Sequence, residues 1–321
     1  GGPNSPGFDL RYAVCEWIVE NYDDMQQFIP RSFPRVARDR SDKFQEAEFY
    51  VALGLSVIAL VCVVLTTVLT YRQQHRIIMR HAQVEFLLLL LVGLLIVSCG
   101  STFAAFPPTR ITCLLTIWCT NVGYTLELVP LIVKIAAINR LMSAAQNLRR
   151  VHLSRRSLFG VVFMLSFFIV VFLFVWTVID SPEPQNSYVL SNQMTDTGDT
   201  IVWIQKACQS SSSAWQYASA FWHALLLLSA TVLAFQTRNI RTEFNESQTL
   251  ALLIYSHFLF VILRIITFLI ETDENRWKTV RYRSMIFSLD AVATVLIYFV
   301  PKFTAREDRV LGLQRQQSLI N

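Results

Sequence analysis

Charged residues are scarce in this sequence. Asp, Glu, Lys and Arg make up 16% of the 321 residues, 53% are hydrophobic, and the mean hydropathy is +0.42. This composition argues against an ordinary soluble domain and is typical of a membrane protein. The apolar residues are concentrated in long stretches, most of which, with their flanks, reach the roughly 20 residues that a helix needs to cross a bilayer. There are seven of these stretches, namely Leu55–Leu69, Phe86–Phe106, Ile111–Val133, Leu158–Ile179, Ala214–Phe235, Leu250–Ile270 and Met285–Val300.

The stretches also lack the alternation of polar and apolar residues that a membrane β-barrel requires. Runs such as Leu87–Leu91 and Phe167–Val171 are apolar at every position. Because lipid offers no partner to a bare backbone polar group, such spans must be helical. The sequence therefore predicts an all-α fold, one seven-transmembrane helix bundle over residues 48–305. Residues 1–47 are predicted to be an extracellular N-terminal segment or linker, and residues 306–321 a cytoplasmic tail.

Basic residues are unevenly shared between the two sets of loops, and this asymmetry predicts the orientation of the bundle. Cytoplasmic loops of membrane proteins are rich in Lys and Arg. The first, third and fifth loops together with the C-terminal tail carry fourteen such residues, whereas the second, fourth and sixth loops carry six. The N-terminus is therefore expected outside and the C-terminus inside. The net charge of +5 reflects this bias, so we expect no nucleic-acid partner.

Several functional signatures are missing. The sequence has no metal-ligand cluster, nucleophile elbow or phosphate-binding loop, so we expect neither an enzyme nor a bound cofactor. The middle of the seventh span has no lysine for a retinal Schiff base, and the paired broken segments of repeat transporters are absent. Helix 3, which continues past the third span, is expected to end at Ile138–Leu141 without the acidic-Arg-Tyr motif of rhodopsin-type receptors, and helix 7 has no Asn-Pro-x-x-Tyr.

Only six cysteines are present, and three of them lie inside predicted spans, where a buried thiol is usually inert. Cys113 opens the third span, and Cys208 precedes the fifth, on the side predicted to be outside. Disulfides persist in that oxidising compartment, so these two residues are the expected pair. Cys15 is the rival outer partner.

Lys134 lies near the inner end of the third span, where an ionisable residue is rare and usually paired. Its expected partner is Glu246, just ahead of the sixth span, and the pair would tie the inner ends of helices 3 and 6 together. The alternative is a lysine that extends its amine to the membrane surface.

A second set of polar residues is predicted at the middle of the membrane: Glu127 on helix 3, His223 on helix 5, Arg264 on helix 6 and Asp290 on helix 7. An arginine that faces lipid costs at least about 2.5–3.5 kcal/mol. Arg264 is therefore expected to face the bundle interior and to meet Asp290 or, as second choice, Glu127. The set would serve as a structural ion pair, a small-molecule pocket or a proton path.

The two inner loops that flank helices 4 and 5 form a compact basic surface. They contain Arg149, Arg150, Arg155 and Arg156 before helix 4, and Arg238 and Arg241 after helix 5. Such residues hold the topology, attract anionic membrane lipid at about 1 kcal/mol each, or contact a partner protein.

Several short motifs follow one another along the spans. They are Cys113, Trp118 and Gly123-Tyr124 in the opening of helix 3, Lys134 at its inner end, Phe235–Asn239, Asn245–Ser247, Tyr255, and Phe299–Lys302, in which Pro301 is expected to end the last span. In this order and at these spacings they resemble the seven-helix domain of class C G-protein-coupled receptors, and most closely metabotropic type B GABA receptors. The family has Asp where this sequence has Glu246.

The resemblance implies a Cys113–Cys208 disulfide, an inner lock between Lys134 and Glu246, and contact of the two basic loops with a heterotrimeric G protein. It also implies that the receptor acts as a homo- or heterodimer and that agonist binds a large bilobed extracellular domain. Residues 1–47 are far too short for such a domain, and the sequence identifies no ligand.

The leading hypothesis is a class C-like receptor domain in the plasma membrane. It would relay an extracellular signal to a cytoplasmic G protein through rearrangement of helices 3 and 6. One alternative is a seven-helix transporter or proton-coupled carrier that uses Glu127, Arg264 and Asp290. Another is a membrane sensor or scaffold that keeps the fold without coupling to a G protein.

Overall fold

The computed structural model describes residues 36–39, 47–76, 79, 83–146, 155–194, 200–237, 245–271 and 276–304. The elements are β1 (Val36–Asp39), α1 (Ala47–Arg72), α2 (Val84–Ala105), α3 (Arg110–Gln146), α4 (Arg155–Ile179), β2 (Glu183–Met194), β3 (Thr200–Gln209), α5 (Ala214–Thr237), α6 (Asn245–Leu269) and α7 (Arg276–Thr294). A π-helical turn, Val295–Phe299, continues α7 into a last α-helical turn, Val300–Thr304.

Within these described ranges, seven helices are long and apolar enough to cross a membrane, the seventh being α7 together with the π turn and the last helical turn, and this confirms the predicted bundle. Their outward faces are apolar as well. On α4, for example, Phe163 and Met164 are 72% and 73% exposed. Exposing such a surface to water is unfavourable in free energy, whereas the hydrocarbon of a bilayer solvates it. α2 and α3 are the most enclosed of the seven helices, and α3 contributes the side chains of the site described below.

Glycines set the contact between α2 and α3. A Cβ atom built at Gly93 would lie 2.6 Å from the backbone nitrogen of Glu127, and one at Gly123 would lie 2.7 Å from that of Val97. Only hydrogen fits at these two positions, as in other membrane helix pairs that cross through small residues. The backbone that carries Glu127 is therefore packed directly against α2.

A three-stranded sheet joins the loop between α4 and α5 to the chain ahead of α1. β2 and β3 form an antiparallel hairpin, and β1 pairs in parallel with β3. Near the end of the hairpin, Cys208 is bonded to Cys113 on α3, with the two Cα atoms 5.4 Å apart. The predicted disulfide is confirmed, and it leaves no role for Cys15 as the partner of either residue. We call this the disulfide end of the bundle, and the opposite end, which carries Lys134, the lysine end.

The chain that follows the hairpin is held to the end of α4. Asp180 accepts hydrogen bonds from the backbone N–H groups of Ser211 and Ser212, at 2.9 and 3.0 Å. These two donors hold the pKa of the Asp180 carboxyl below its ordinary value, because they favour the charged form. The disulfide and Asp180 thus fix the same stretch of chain from two sides.

The expectation that Pro301 ends the last span is wrong, because the helix continues to Thr304. Proline has no N–H and clashes with the carbonyl four residues earlier in a regular α-helix. The π turn relieves that constraint by widening the ladder just before the proline. There the N–H of Val300 bonds the carbonyl of Val295, five residues back.

Candidate functional site: a buried polar cluster in the middle of the bundle

Helical spacing brings polar residues of three helices to one place. On α6, His257 and Arg264 are seven residues apart, which is two turns, so both face the same side. On α7, Asp290 and Thr294 are four residues apart and also share a side. Glu127 meets them from α3. We call these five residues the central polar cluster, and each is at most 7% exposed.

An ion pair between α6 and α7 lies within the cluster. Arg264 Nη2 donates a hydrogen bond of 2.6 Å to Asp290 Oδ2. The structure therefore places Arg264 inside the bundle, beside the carboxylate that the sequence favoured as its partner. The guanidinium also lies between two aromatic rings, with its Cζ 4.4 Å from the ring centroid of Tyr124 and 4.2 Å from that of Phe287. Such cation–π contacts stabilise a charge that has lost its water.

His257 lies between the two carboxylates. Its Nδ1 is 2.8 Å from Asp290 Oδ1, and its Nε2 is 3.5 Å from Glu127 Oε1. Thr294 Oγ1 lies 3.3 Å from the same Glu127 oxygen and 3.0 Å from the carbonyl oxygen of Asp290. His257 and Thr294 were not among the residues predicted from the sequence. The available signal was that His257 precedes Arg264 by two turns on the same face.

His223 on α5 is at the edge of this arrangement. Its ring packs against that of Tyr124, with centroids 4.9 Å apart, and its buried Nε2 has no hydrogen-bond partner among the described residues. The structure thus unites three of the four predicted mid-membrane residues in one network and joins the fourth to it through an aromatic ring.

At the lysine end, Lys134 is 8% exposed and its Nζ donates a hydrogen bond of 3.3 Å to the hydroxyl of Tyr298, a residue in the π turn. Lys302 Nζ lies 4.2 Å from the centroid of the same tyrosine ring. The side chain of Glu246, at the start of α6, lies outside the described residues, so its pairing with Lys134 stays a prediction. Sequence reasoning had not connected Tyr298 with either lysine.

The predicted G-protein contacts are largely outside the described part of the chain. This holds for Arg149, Arg150, Arg238 and Arg241, and for the side chain of Arg155. Arg156 lies in the first turn of α4 and is exposed. The role of this basic surface stays a prediction.

The central polar cluster mechanically links α3, α6 and α7. Removing one partner of a buried ion pair leaves an uncompensated charge and typically costs about 3–5 kcal/mol in soluble proteins. If one of these helices moves, the charged side chains paired with it must therefore move with it or find other partners.

Comparison with known proteins agrees with this architecture. A family model described as "7 transmembrane sweet-taste receptor of 3 GCPR" matches residues 42–302. Metabotropic glutamate receptor-like protein E of Dictyostelium discoideum is 26% identical over 225 residues, which are 70% of this chain and 26% of that protein. The chain thus spans about a quarter of the length of this curated relative. Because the family model covers most of the chain, the chain belongs to the seven-transmembrane family of class C G-protein-coupled receptors and is an integral membrane protein.

Proposed function

We propose that this chain relays a signal from its disulfide end to a heterotrimeric G protein at its lysine end, through a rearrangement of α6 relative to α3. The observation that carries the proposal is the central polar cluster, in which Glu127 of α3 meets His257 of α6. Family membership supports a receptor rather than an enzyme as the class of protein. G-protein coupling and dimerisation are common in this family, and we propose both for this chain.

The proposed orientation has the N-terminus and the disulfide end outside the cell and the C-terminus inside. Two features support it. Basic residues are concentrated in the loops of the lysine end. The Cys113–Cys208 bond is of the kind that persists in oxidising compartments. With that orientation, we propose the plasma membrane as the location of the receptor.

We propose that the signal enters through the sheet at the disulfide end. β1 belongs to the chain ahead of α1, and it pairs with β3, whose Cys208 is bonded to α3. A displacement of the preceding chain would therefore reach α3 through a hydrogen-bonded strand and a covalent bond. The motif order that resembles metabotropic type B GABA receptors supports placing the chain near that branch of the family.

At the lysine end, we propose that a pair between Lys134 and Glu246 holds α3 and α6 together in the inactive state. The buried position of Lys134 supports this, because an amine at that depth requires polar partners. We further propose that the basic surface defined by Arg149, Arg150, Arg155, Arg156, Arg238 and Arg241 contacts the G protein. Anionic lipid of the inner leaflet would bind the same surface in its absence.

The test is nucleotide exchange by purified G proteins in the presence of the receptor reconstituted in lipid nanodiscs. We expect agonist-independent exchange above that of empty nanodiscs, and we expect neutralising the basic surface to abolish it. If none of the major G-protein classes responds, relay to a G protein is ruled out. The carrier hypothesis, which uses Glu127, Arg264 and Asp290, predicts instead a proton or solute flux across proteoliposomes, and we expect none.

A further inference from the structure

The charges of the central polar cluster do not balance unless the cluster holds one extra proton. Glu127 and Asp290 contribute two negative charges when ionised, whereas Arg264 contributes one positive charge at any physiological pH. With a neutral His257, the cluster would carry a net charge of −1 at a depth where both carboxylates are at most 2% exposed. An isolated charge in such a place is strongly unfavourable.

The geometry of His257 indicates where that proton lies. A neutral imidazole has one donor nitrogen and one acceptor nitrogen. Here both ring nitrogens face carboxylate oxygens, Nδ1 at 2.8 Å from Asp290 and Nε2 at 3.5 Å from Glu127. An acceptor nitrogen directed at a carboxylate is repelled by it. An imidazolium donates a hydrogen bond to Asp290, and its positive charge attracts the Glu127 carboxylate, which lies at ion-pair distance without a hydrogen bond.

Other charged and titratable groups around the imidazole leave this assignment in place. They come from every described helix that packs there: Glu127 and Tyr124 from α3, His223 from α5, Arg264 from α6 itself, and Asp290 from α7. The Tyr124 ring is edge-on to that of His257, with centroids 6.2 Å apart. Arg264 pairs with Asp290 and lies between two aromatic rings, and its single positive charge balances only one of the two carboxylates.

We propose that His257 is a proton-binding site that couples α3, α6 and α7. A bound proton lets the imidazolium bridge Glu127 of α3 and Asp290 of α7. Loss of the proton replaces one of these bridges by repulsion between a lone pair and a carboxylate. Proton binding therefore favours the arrangement described here, and proton loss favours separation of α6 from α3.

The surroundings of the cluster differ towards the two ends of the bundle. Towards the disulfide end, polar groups continue: Arg283 Nε lies 3.3 Å from the hydroxyl of Thr267, and Arg283 pairs with the partly exposed Glu271. Towards the lysine end, the neighbouring turns contribute buried apolar side chains to one cluster. It includes Leu131, Leu253, Ile254 and Val295, each at most 7% exposed. The site is therefore expected to exchange protons with the disulfide end.

Thermal unfolding of the purified protein in detergent, measured from pH 4.5 to 8.5, tests the site without any G protein. Free histidine loses its proton near about pH 6.5, and free glutamate near about pH 4.3. Above about pH 6.5 the folded protein would hold one proton more than the unfolded chain, so its stability must fall as pH rises. We expect a decline of about 2–4 °C per pH unit.

Three variants separate the contributions of Glu127, His257 and His223 to this pH dependence of stability. Glu127→Gln balances the cluster without an extra proton, so its decline above about pH 6.5 should vanish. His257→Gln moves the proton to Glu127, so the decline should begin about two pH units lower. His223→Gln, the matched control on α5, should keep the native decline above about pH 6.5 and differ only in the acidic range, where unfolding exposes His223 to protonation. The site is ruled out if Glu127→Gln declines in step with the native protein, or if His257→Gln has the native profile.

A spectroscopic measurement on the native protein applies even if a variant fails to fold. In ¹⁵N-histidine NMR at pH 7.5, we expect both ring nitrogens of His257 to be protonated, and a neutral ring would overturn the proposal. The functional consequence rests on the proposed G-protein relay: basal nucleotide exchange should rise with pH in the native protein and not in Glu127→Gln. A pH-dependent stability without any exchange would leave the proton site intact and overturn the relay.

Discussion

Removing the side chain of Arg264 would leave two buried carboxylates, Asp290 and Glu127, with His257 as the only remaining positive group beside them among the described residues. Arg264→Leu should therefore destabilise the folded protein by about 3–5 kcal/mol, by the rule for buried ion pairs. The measurement is the free energy of unfolding in detergent, determined with denaturant. The double variant Arg264→Leu/Asp290→Leu removes both charges and should recover part of the loss. Equal destabilisation in the single and double variants would contradict an energetic role for the pair.

Lys134 carries the second prediction at this scale. Lys134→Ala should raise basal nucleotide exchange by up to about fivefold, because a pair near the membrane surface contributes about 1 kcal/mol or less to the inactive state. Exchanging the charges, with Lys134→Glu and Glu246→Lys together, should restore part of the native behaviour. Tyr298→Phe is the matched control, since it removes only the hydroxyl that accepts from Lys134. Unchanged basal exchange in Lys134→Ala would mean that this lysine does not hold the inactive state.

Some residues of the site could be predicted from the sequence and others could not. Arg264 and Asp290 were recognisable because a charged residue in an apolar span must find a partner. His257 escaped because a neutral histidine carries no such requirement, and only the distances to two carboxylates reveal its position. Tyr298 escaped because its direction depends on the π turn, which shifts the helical phase in a way that ordinary 3.6-residue counting does not anticipate.

At the scale of elements, the closest contact is the crossing of α2 and α3. Gly93→Ala should destabilise the protein by about 1–3 kcal/mol, since the new methyl group would meet backbone atoms of α3 that have no room to move. Gly160→Ala on α4 is the matched control, because nothing lies within 4 Å of a Cβ built there. That control should be neutral or slightly stabilising, as alanine is the better helix former. Thermal unfolding of both variants is the measurement. Similar midpoints would argue against a tight crossing.

The secondary-structure elements differed in how well they could be predicted from the sequence. The spans followed from hydropathy alone, because a bilayer admits few other structures for such stretches. The β2–β3 hairpin did not, since its strands lie outside the spans, where the bilayer does not restrict the choice of structure and strand propensity depends strongly on context. Pro301 was read as a helix end by its usual effect, and the structure accommodates it through the widened turn instead.

At the scale of the whole molecule, the orientation in the membrane is open to a direct test. In a Cys15→Ser background, a cysteine at Ser211→Cys, at the disulfide end, should react in intact cells with a maleimide that cannot cross membranes. A cysteine at Arg156→Cys, at the lysine end, should react only after permeabilisation. Both positions are exposed. Labelling of Arg156→Cys in intact cells would reverse the proposed orientation.

The two sides of the central polar cluster, towards the disulfide end and towards the lysine end, also differ in the polarity of their side chains. On the side of the disulfide end, Arg283 contacts Thr267 and Glu271, whereas on the side of the lysine end the described residues next to the central polar cluster include the buried apolar Leu131 and Leu253. In a carrier, the binding site must open to both sides in turn. A receptor needs only a mechanical connection through the second half, and packed apolar side chains transmit displacement because they are close to incompressible.

The π turn in α7 has a consequence for how this helix tolerates change in length. A π turn holds one residue more than an α-helical turn, so α7 contains a single surplus residue between Asp290 and Pro301. Each residue rotates an α-helix by about 100°. The π turn therefore offsets the helix face that carries Tyr298 from the face that carries Asp290. Deleting one residue inside the turn would rotate one face relative to the other. The number of residues between Asp290 and Tyr298 is therefore as important for the position of these two side chains as their identity.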